Sequence, residues 1–219
     1  MNFTTTNETE LASGALTPGA DATVEVFVDP QCPFAWITSR WLLECAQHTD
    51  LRVDVRLMSL ACINEGRELD AWYREYNDDA WAAARVAAAL LDSPRRDEWP
   101  RFYDTFGQRR HVDGVRDNVV NLTATVRELG LPDDLLAAAA EDGRDDDLRT
   151  RTREAVAGSG GDGGTPVVRI HGRSFFGPVL TSVPRGQDAV RLWRAVESMA
   201  STPGFSSIST ERSDDLRAE

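Results

Sequence analysis

The feature that most constrains this 219-residue chain is a junction near its start. The run Thr23-Val24-Glu25-Val26-Phe27-Val28 is β-branched and mostly apolar, the composition of a buried strand, and it stops at Asp29-Pro30. From Pro33 the apolar positions Phe34, Trp36, Ile37, Trp41, Leu42 and Cys45 recur at helical spacing. Pro33 suits the first helical turn, so a helix is expected from there to about Gln47. Cys32 lies between strand and helix. Leu51, Val53, Val55 and Leu57 then alternate with Arg52, Asp54 and Arg56, the period-two mark of a strand with one polar face. Strand, helix and strand form a β-α-β unit of right-handed connection.

Between about Asn64 and Ala157 the chain becomes Ala-, Leu- and charge-rich at helical period, broken near Ser93-Pro94, His111 to Gly114, Leu131-Pro132 and Gly143. Four or five helices and no strand are expected there. Gly158 to Gly164 reads as a glycine-rich linker. Pro166-Val167-Val168-Arg169-Ile170 and Ser174-Phe175-Phe176 then flank the turn His171-Gly172-Arg173 as a hairpin, and a last helix is expected from about Gln187 to Met199. The whole is an α/β domain, residues 23–63 and 158–205, interrupted by an all-helical insertion, residues 64–157.

An apolar fraction of 41% supplies enough for a substantial core. The net charge of −12 argues against nucleic acid and anionic membranes, whose phosphates this chain would repel, and favours a small or neutral substrate. No stretch approaches the roughly 20 apolar residues that span a bilayer. Residues 1–22 lack the basic start and apolar run of a secretory signal, so a flexible N-terminal segment and a cytoplasmic protein are expected, with its three cysteines free. Residues 206–219 are polar, without apolar periodicity, and read as a tail that frays.

At the strand-to-helix junction the Cys32 sulfur should face unpaired backbone N–H groups and the positive end of the helix dipole. Both favour thiolate. The dipole contributes about 0.3–1 kcal/mol, up to roughly 2 when partly buried, which would bring a thiol from about 8.5 towards 7. The alternative is a small buried hydrophobe. Cys45, thirteen residues on in the same helix, lies roughly 20 Å along its axis and reads as core. Cys62, after the second strand, is on the same sheet edge as Cys32 if the strands are parallel, yet core or loop packing is its first reading. His48, His111 and His171 show no metal-ligand spacing, so no metal site is expected. His111 lies between insertion helices that can cover the site, a solvated loop being its first reading. Trp72, Tyr73, Tyr76 and Trp81 fall at helical spacing and read first as core, second as lining for a flat apolar substrate. Trp36 invites the same two readings.

Thr165-Pro166 opens a strand after the linker, and an X-Pro bond there is either an ordinary trans bond or a cis bond held by the fold. Together with Cys32-Pro33-Phe34-Ala35 it resembles the thioredoxin superfamily, and the helical insertion resembles its DsbA-like branch. More closely, Asp29 to Glu44 is similar to the active-site segment of the mycothiol-dependent nitroreductase family. Met58-Ser59-Leu60, Asn64-Glu65-Gly66-Arg67, Gly164-Thr165-Pro166, Phe175 to Leu180 and Pro184-Arg185-Gly186 match it as well. The resemblance implies a thioredoxin-like fold and Cys32 as the reactive thiol. It further implies a cis bond before Pro166, substrate contacts from Pro33, Phe34, Ala35, Trp36, Thr165 and Pro166, and mycothiol or a similar small thiol as co-substrate with no tightly bound cofactor.

The departure from dithiol members is Ala35, which stands where they carry a second cysteine. A dithiol cycle within the motif is thereby excluded, and a monothiol cycle remains, in which Cys32 forms a mixed disulfide that a second small thiol resolves. Two other readings stay open: a kappa-class-like thiol transferase, which activates the small thiol without joining it, and a non-catalytic thioredoxin-like binding module. The partners expected are a small thiol and a small-molecule or disulfide substrate, with the protein a monomer or homodimer.

Overall fold

A computed structural model describes residues 23–160, 163–213 and 215–219. The expected flexible segment 1–22 lies outside the described residues. Four strands form one sheet in the order β2-β1-β3-β4: β1 (Thr23–Val28), β2 (Arg52–Leu57), β3 (Val167–Ile170) and β4 (Arg173–Phe176). β1 pairs parallel with β2, with Val26 opposite Val55, and antiparallel with β3, with Val26 opposite Val168.

β1 is central, which explains its nearly continuous apolar run. Val24, Val26 and Val28 bury on one face with Ile37, Trp41, Leu42 and Cys45 of α1 (Pro33–His48). Phe27 buries on the other face with Met58, Val167 and Ala155. On edge strand β2, Val55 and Leu57 are buried while Arg52 and Arg56 are exposed. The β3–β4 turn is a tight two-residue one, because His171 (φ 49°) and Gly172 (φ 78°) both adopt the left-handed conformation that matches strand twist.

The insertion comprises α2 (Leu60–Asn64), α3 (Ala71–Asp92), α4 (Trp99–Gly107), α5 (Asn118–Glu128) and α6 (Asp145–Val156). Its first helix, α2, starts at Leu60 because Ser59 caps it by accepting from the Cys62 amide. The expected break at His111 to Gly114 follows a single π turn, Gln108–Val112, that continues directly from α4, and irregular chain from Asp113 to Asp117 then leads into α5. Buried Ala80, Ala83, Ala84, Ala87 and Ala88 give α3 a face of small side chains against its neighbours. A bidentate pair from Arg85 to Asp145, at 2.8 and 2.7 Å, joins α3 to α6. α7 (Gly186–Ser201) packs on α1, where the Ala189 carbonyl accepts from Trp41 Nε1 and Cys45 Sγ. This is a thioredoxin-like α/β fold with an inserted all-helical domain.

The C-terminal tail differs from the fraying segment expected for 206–219. Its end lies back on the protein: the Arg217 amide donates to the Thr181 carbonyl at 2.8 Å, and Leu216 and Ala218 are half-buried against the core. Long-range backbone pairing of this kind leaves no local periodicity to read.

Candidate functional site

Cys32 is the N-cap of α1, with extended backbone (φ −78°, ψ 116°) and Pro33 in the first turn. Its Sγ accepts from the Ala35 amide at 3.4 Å, satisfying one of the donors that a helix start leaves free. The thiol points to the Thr165 carbonyl at 3.6 Å, although the two residues are 133 apart in sequence. The Thr165–Pro166 bond is cis, and so is Gly177–Pro178. Strand β3, which starts immediately after Pro166 and pairs with β1, carries Thr165 to the end of β1 where Cys32 begins α1. Ala35, Trp36 and Thr165 are buried, and Pro33 and Phe34 are half-buried.

The helix start does not give the lowered thiol pKa that its dipole alone implies. Cys32 is only 3% exposed, and burial pushes its thiol up to about 12, against the downward pull of the Ala35 amide. The nearby Asp29 charge adds to the rise. In this closed arrangement Cys32 is a protonated thiol. Losing water costs an anion more than the Ala35 and Phe34 amides return.

In the sequence Asp29 reads only as the end of the first strand and the start of the family-like segment, although a carboxylate closing a mostly apolar strand is itself a signal. It is wholly buried, and its two oxygens accept from the Gln31 and Leu60 amides at 2.7 Å each. It thereby ties the turn before Cys32 to the start of α2. Burial raises its pKa to about 6, with the two amides and Arg110 pulling the other way.

The insertion grips the same turn from the other side. Tyr76 Oη donates to the Gln31 carbonyl and Gln31 Nε2 to the Tyr76 carbonyl, both at 2.5 Å, while Asn118 Nδ2 donates to Gln31 Oε1 at 2.9 Å. His111, read first as a solvated loop residue, instead donates from Nε2 to the Pro30 carbonyl at 3.0 Å. Its ring stacks on Trp36 at 5.6 Å, and burial lowers its pKa to about 3, so it stays neutral. Gly107 leaves room for the Trp36 ring, whose Cζ3 would lie 2.2 Å from a Cβ at that position.

The remaining candidates lie apart from these contacts. Cys45 is core, and burial raises its thiol as well. Cys62 is half-buried in α2, beside a surface cavity lined by Arg149, Arg153 and Gly163. Trp72 is 71% exposed, contrary to its core reading: it lies in the first turn of α3, its ring tilted against Tyr73, which in turn stacks on Tyr76. The guanidinium groups of Arg85 and Arg149 lie over the Trp81 ring, 5.0 and 5.7 Å from its centre. Among the described residues no cluster of three His, Cys, Asp or Glu could hold a metal ion, and no helix is long and apolar enough to cross a membrane.

Comparison with solved structures finds the same fold at low sequence identity. A probable DsbA oxidoreductase from Streptomyces coelicolor is 16% identical, with TM-score 0.57 over 82% of this chain and 90% of the other. A 2-hydroxychromene-2-carboxylate isomerase is 14% identical, with TM-score 0.55 over 81% and 94%. Among curated proteins, the uncharacterized protein Rv2286c of Mycobacterium tuberculosis is 31% identical over 185 residues, 83% of this chain and 78% of its own length. Residues 31–210, from the turn before Cys32 to beyond α7, match the family described as Rv2466c-like, mycothiol-dependent nitroreductase Rv2466c, and the chain therefore belongs to that oxidoreductase family.

Proposed function

We propose that the protein is a monothiol oxidoreductase that uses Cys32 and a small thiol, mycothiol or one like it. The observation that carries this reading is the sulfur held between the Ala35 amide and the Thr165 carbonyl, with alanine where a resolving cysteine would stand. Pro33, Phe34, Ala35, Trp36, Thr165 and Pro166 line the approach to it.

When substrate opens the site, the cost of ionising the sulfur falls, and the Ala35 amide and helix dipole then favour thiolate. The thiolate attacks one sulfur of a substrate disulfide: a bond forms to Cys32 Sγ, the substrate S–S bond breaks, and the departing thiolate takes up a proton. A small-thiol thiolate then attacks the mixed disulfide, releasing a small disulfide and the Cys32 thiol. A nitro substrate asks for the same two electrons. Cys32 and one small thiol join as a mixed disulfide while the nitro group becomes a nitroso group and one water leaves with the two thiol protons. Such a cycle needs a compartment that keeps its small thiol reduced, which favours the cytoplasm.

Intact mass after incubation with oxidised mycothiol tests the reading. One adduct is expected, mapping to Cys32 and absent from Cys32→Ser. No adduct would leave a thioredoxin-like binding module instead.

A further inference from the structure

The C-terminal tail folds back over the start of α1, and several of its contacts converge there. The Arg212 guanidinium lies 4.5 Å from the centre of the Phe34 ring. The Ala218 carbonyl accepts from Trp36 Nε1 at 3.0 Å. Between them the Arg217 amide donates to Thr181, and Ser182 and Arg217 pair as an isolated parallel bridge. Phe34 and Trp36 follow Cys32 by two and four residues, so the tail rests on the side chains that flank the thiol.

Two of these contacts use the tail's backbone, one as donor and one as acceptor. The groove therefore reads an extended, amide-bearing segment. The side chains add little grip: residues 209–213 and Asp215, Arg217 and Glu219 are exposed. Leu216 and Ala218 pack against the main core, the extended cluster in which Cys32 also lies, 3% exposed. The contacts at 212, 217 and 218 all lie beyond the residues 31–210 matched by the family.

We propose that residues 212–213 and 215–219 are a strap occupying the groove formed by Phe34, Trp36 and Thr181, and that its displacement by an extended amide-bearing ligand opens access to Cys32. The strap holds the thiol in its covered, protonated state. It requires no assumption about turnover.

The test is the rate of iodoacetamide labelling at pH 8, resolved by peptide mapping. The full chain is compared with a chain ending at Glu211 and with Arg217→Pro, which removes the amide that bonds Thr181 together with an exposed guanidinium paired within the tail, to Asp215. Both variants should label Cys32 at least fivefold faster, with Cys62 unchanged. A synthetic peptide of residues 209–219 should slow the shortened chain again. Cys32 labelling within twofold of the full chain in both variants overturns the strap. So does an equal acceleration at Cys62 that the peptide does not reverse, because that marks general loosening. Should the shortened chain lose its helical circular dichroism, Arg217→Pro, at an exposed position outside any helix, decides alone.

Discussion

His111 holds Pro30: its Nε2 lies 3.0 Å from the Pro30 carbonyl, linking the π turn of the insertion to the turn two residues before Cys32. With Tyr76 and Asn118 gripping Gln31, the insertion positions the reactive thiol as well as covering it. His111→Ala leaves a buried carbonyl without its donor. The loss should be about 1–3 kcal/mol of stability at pH 7, read from urea unfolding. Iodoacetamide should also reach Cys32 faster, and an unchanged labelling rate would mean that His111 packs without positioning.

The same histidine sets an acid limit on stability. Its folded pKa, about 3, lies below the ordinary 6.5, so its contribution is complete above pH 6.5 and lost progressively as pH falls towards 3. Unfolding midpoints should therefore drop between pH 6.5 and 4 in the wild type. In His111→Ala the drop should be shallower, and parallel curves would show that another group carries the acid sensitivity.

Asp29 works in the opposite direction. Its folded pKa, about 6, exceeds the ordinary 3.8, so protonation favours the folded chain as pH falls from 6 to 3.8, and that gain is lost as pH rises through 6. Asp29→Asn sets an amide against one of the two N–H donors that the carboxylate now satisfies. A loss of about 1–3 kcal/mol is expected near pH 4, and a smaller one at pH 8, where the native carboxylate bears its own burial cost. Because the Asp29 charge raises the Cys32 thiol, the midpoint of its alkylation-rate profile should move to lower pH in the variant. An unmoved midpoint would show that burial alone sets it.

Gly107→Ala tests the seat of Trp36. The glycine has ordinary helical backbone (φ −67°), so the substitution introduces no backbone strain. Its Cβ would nevertheless meet the Trp36 ring at 2.2 and 2.3 Å. Overpacking of this kind costs about 1–3 kcal/mol, seen as a lower Tm with altered tryptophan fluorescence. A Tm within a degree of the wild type would show that the ring has room to shift.

What was legible in the sequence follows its local rules. β1, α1 and the hairpin announce themselves through period and proline placement, because each is decided within about ten residues. Cys32 was found for the same reason: the strand stops and the helix starts around it. The grip on its turn joins residues 45, 81 and 87 apart, and the strap joins residues 182 apart. Contacts at that separation impose no period on either partner. The dipole argument reads only part of the sulfur's surroundings for the same reason: the burial that pushes the Cys32 thiol up is set by distant segments packed over a start of helix that looks open from its own sequence. Trp72 misled in the converse way, occupying a helical repeat whose first turn projects beyond the core.

Ala35→Cys asks whether residue 35 can complete a dithiol. Positions three apart in one helical turn share a face, and their Cα atoms fall close to the roughly 4.4–6.8 Å that a disulfide tolerates. The Ala35 amide already bonds the Cys32 sulfur at 3.4 Å, so the backbone that would carry the new thiol lies against its partner. Ala35 is fully buried, and the added sulfur should cost about 1–3 kcal/mol in overpacking while the pair is reduced. Once a mixed disulfide forms on Cys32, the new thiol attacks it with the high effective concentration of an intramolecular reaction. Adducts with mycothiol should become short-lived, and an internal bond should accumulate, read as a loss of about two mass units and of two titratable thiols. The same experiment on Ala35→Ser, which cannot form the bond, should leave the adduct as stable as in the wild type. If Ala35→Cys also keeps a stable adduct and forms no internal bond, the side chain at 35 does not face the sulfur, and the absence of a second cysteine is not what makes this site a monothiol one.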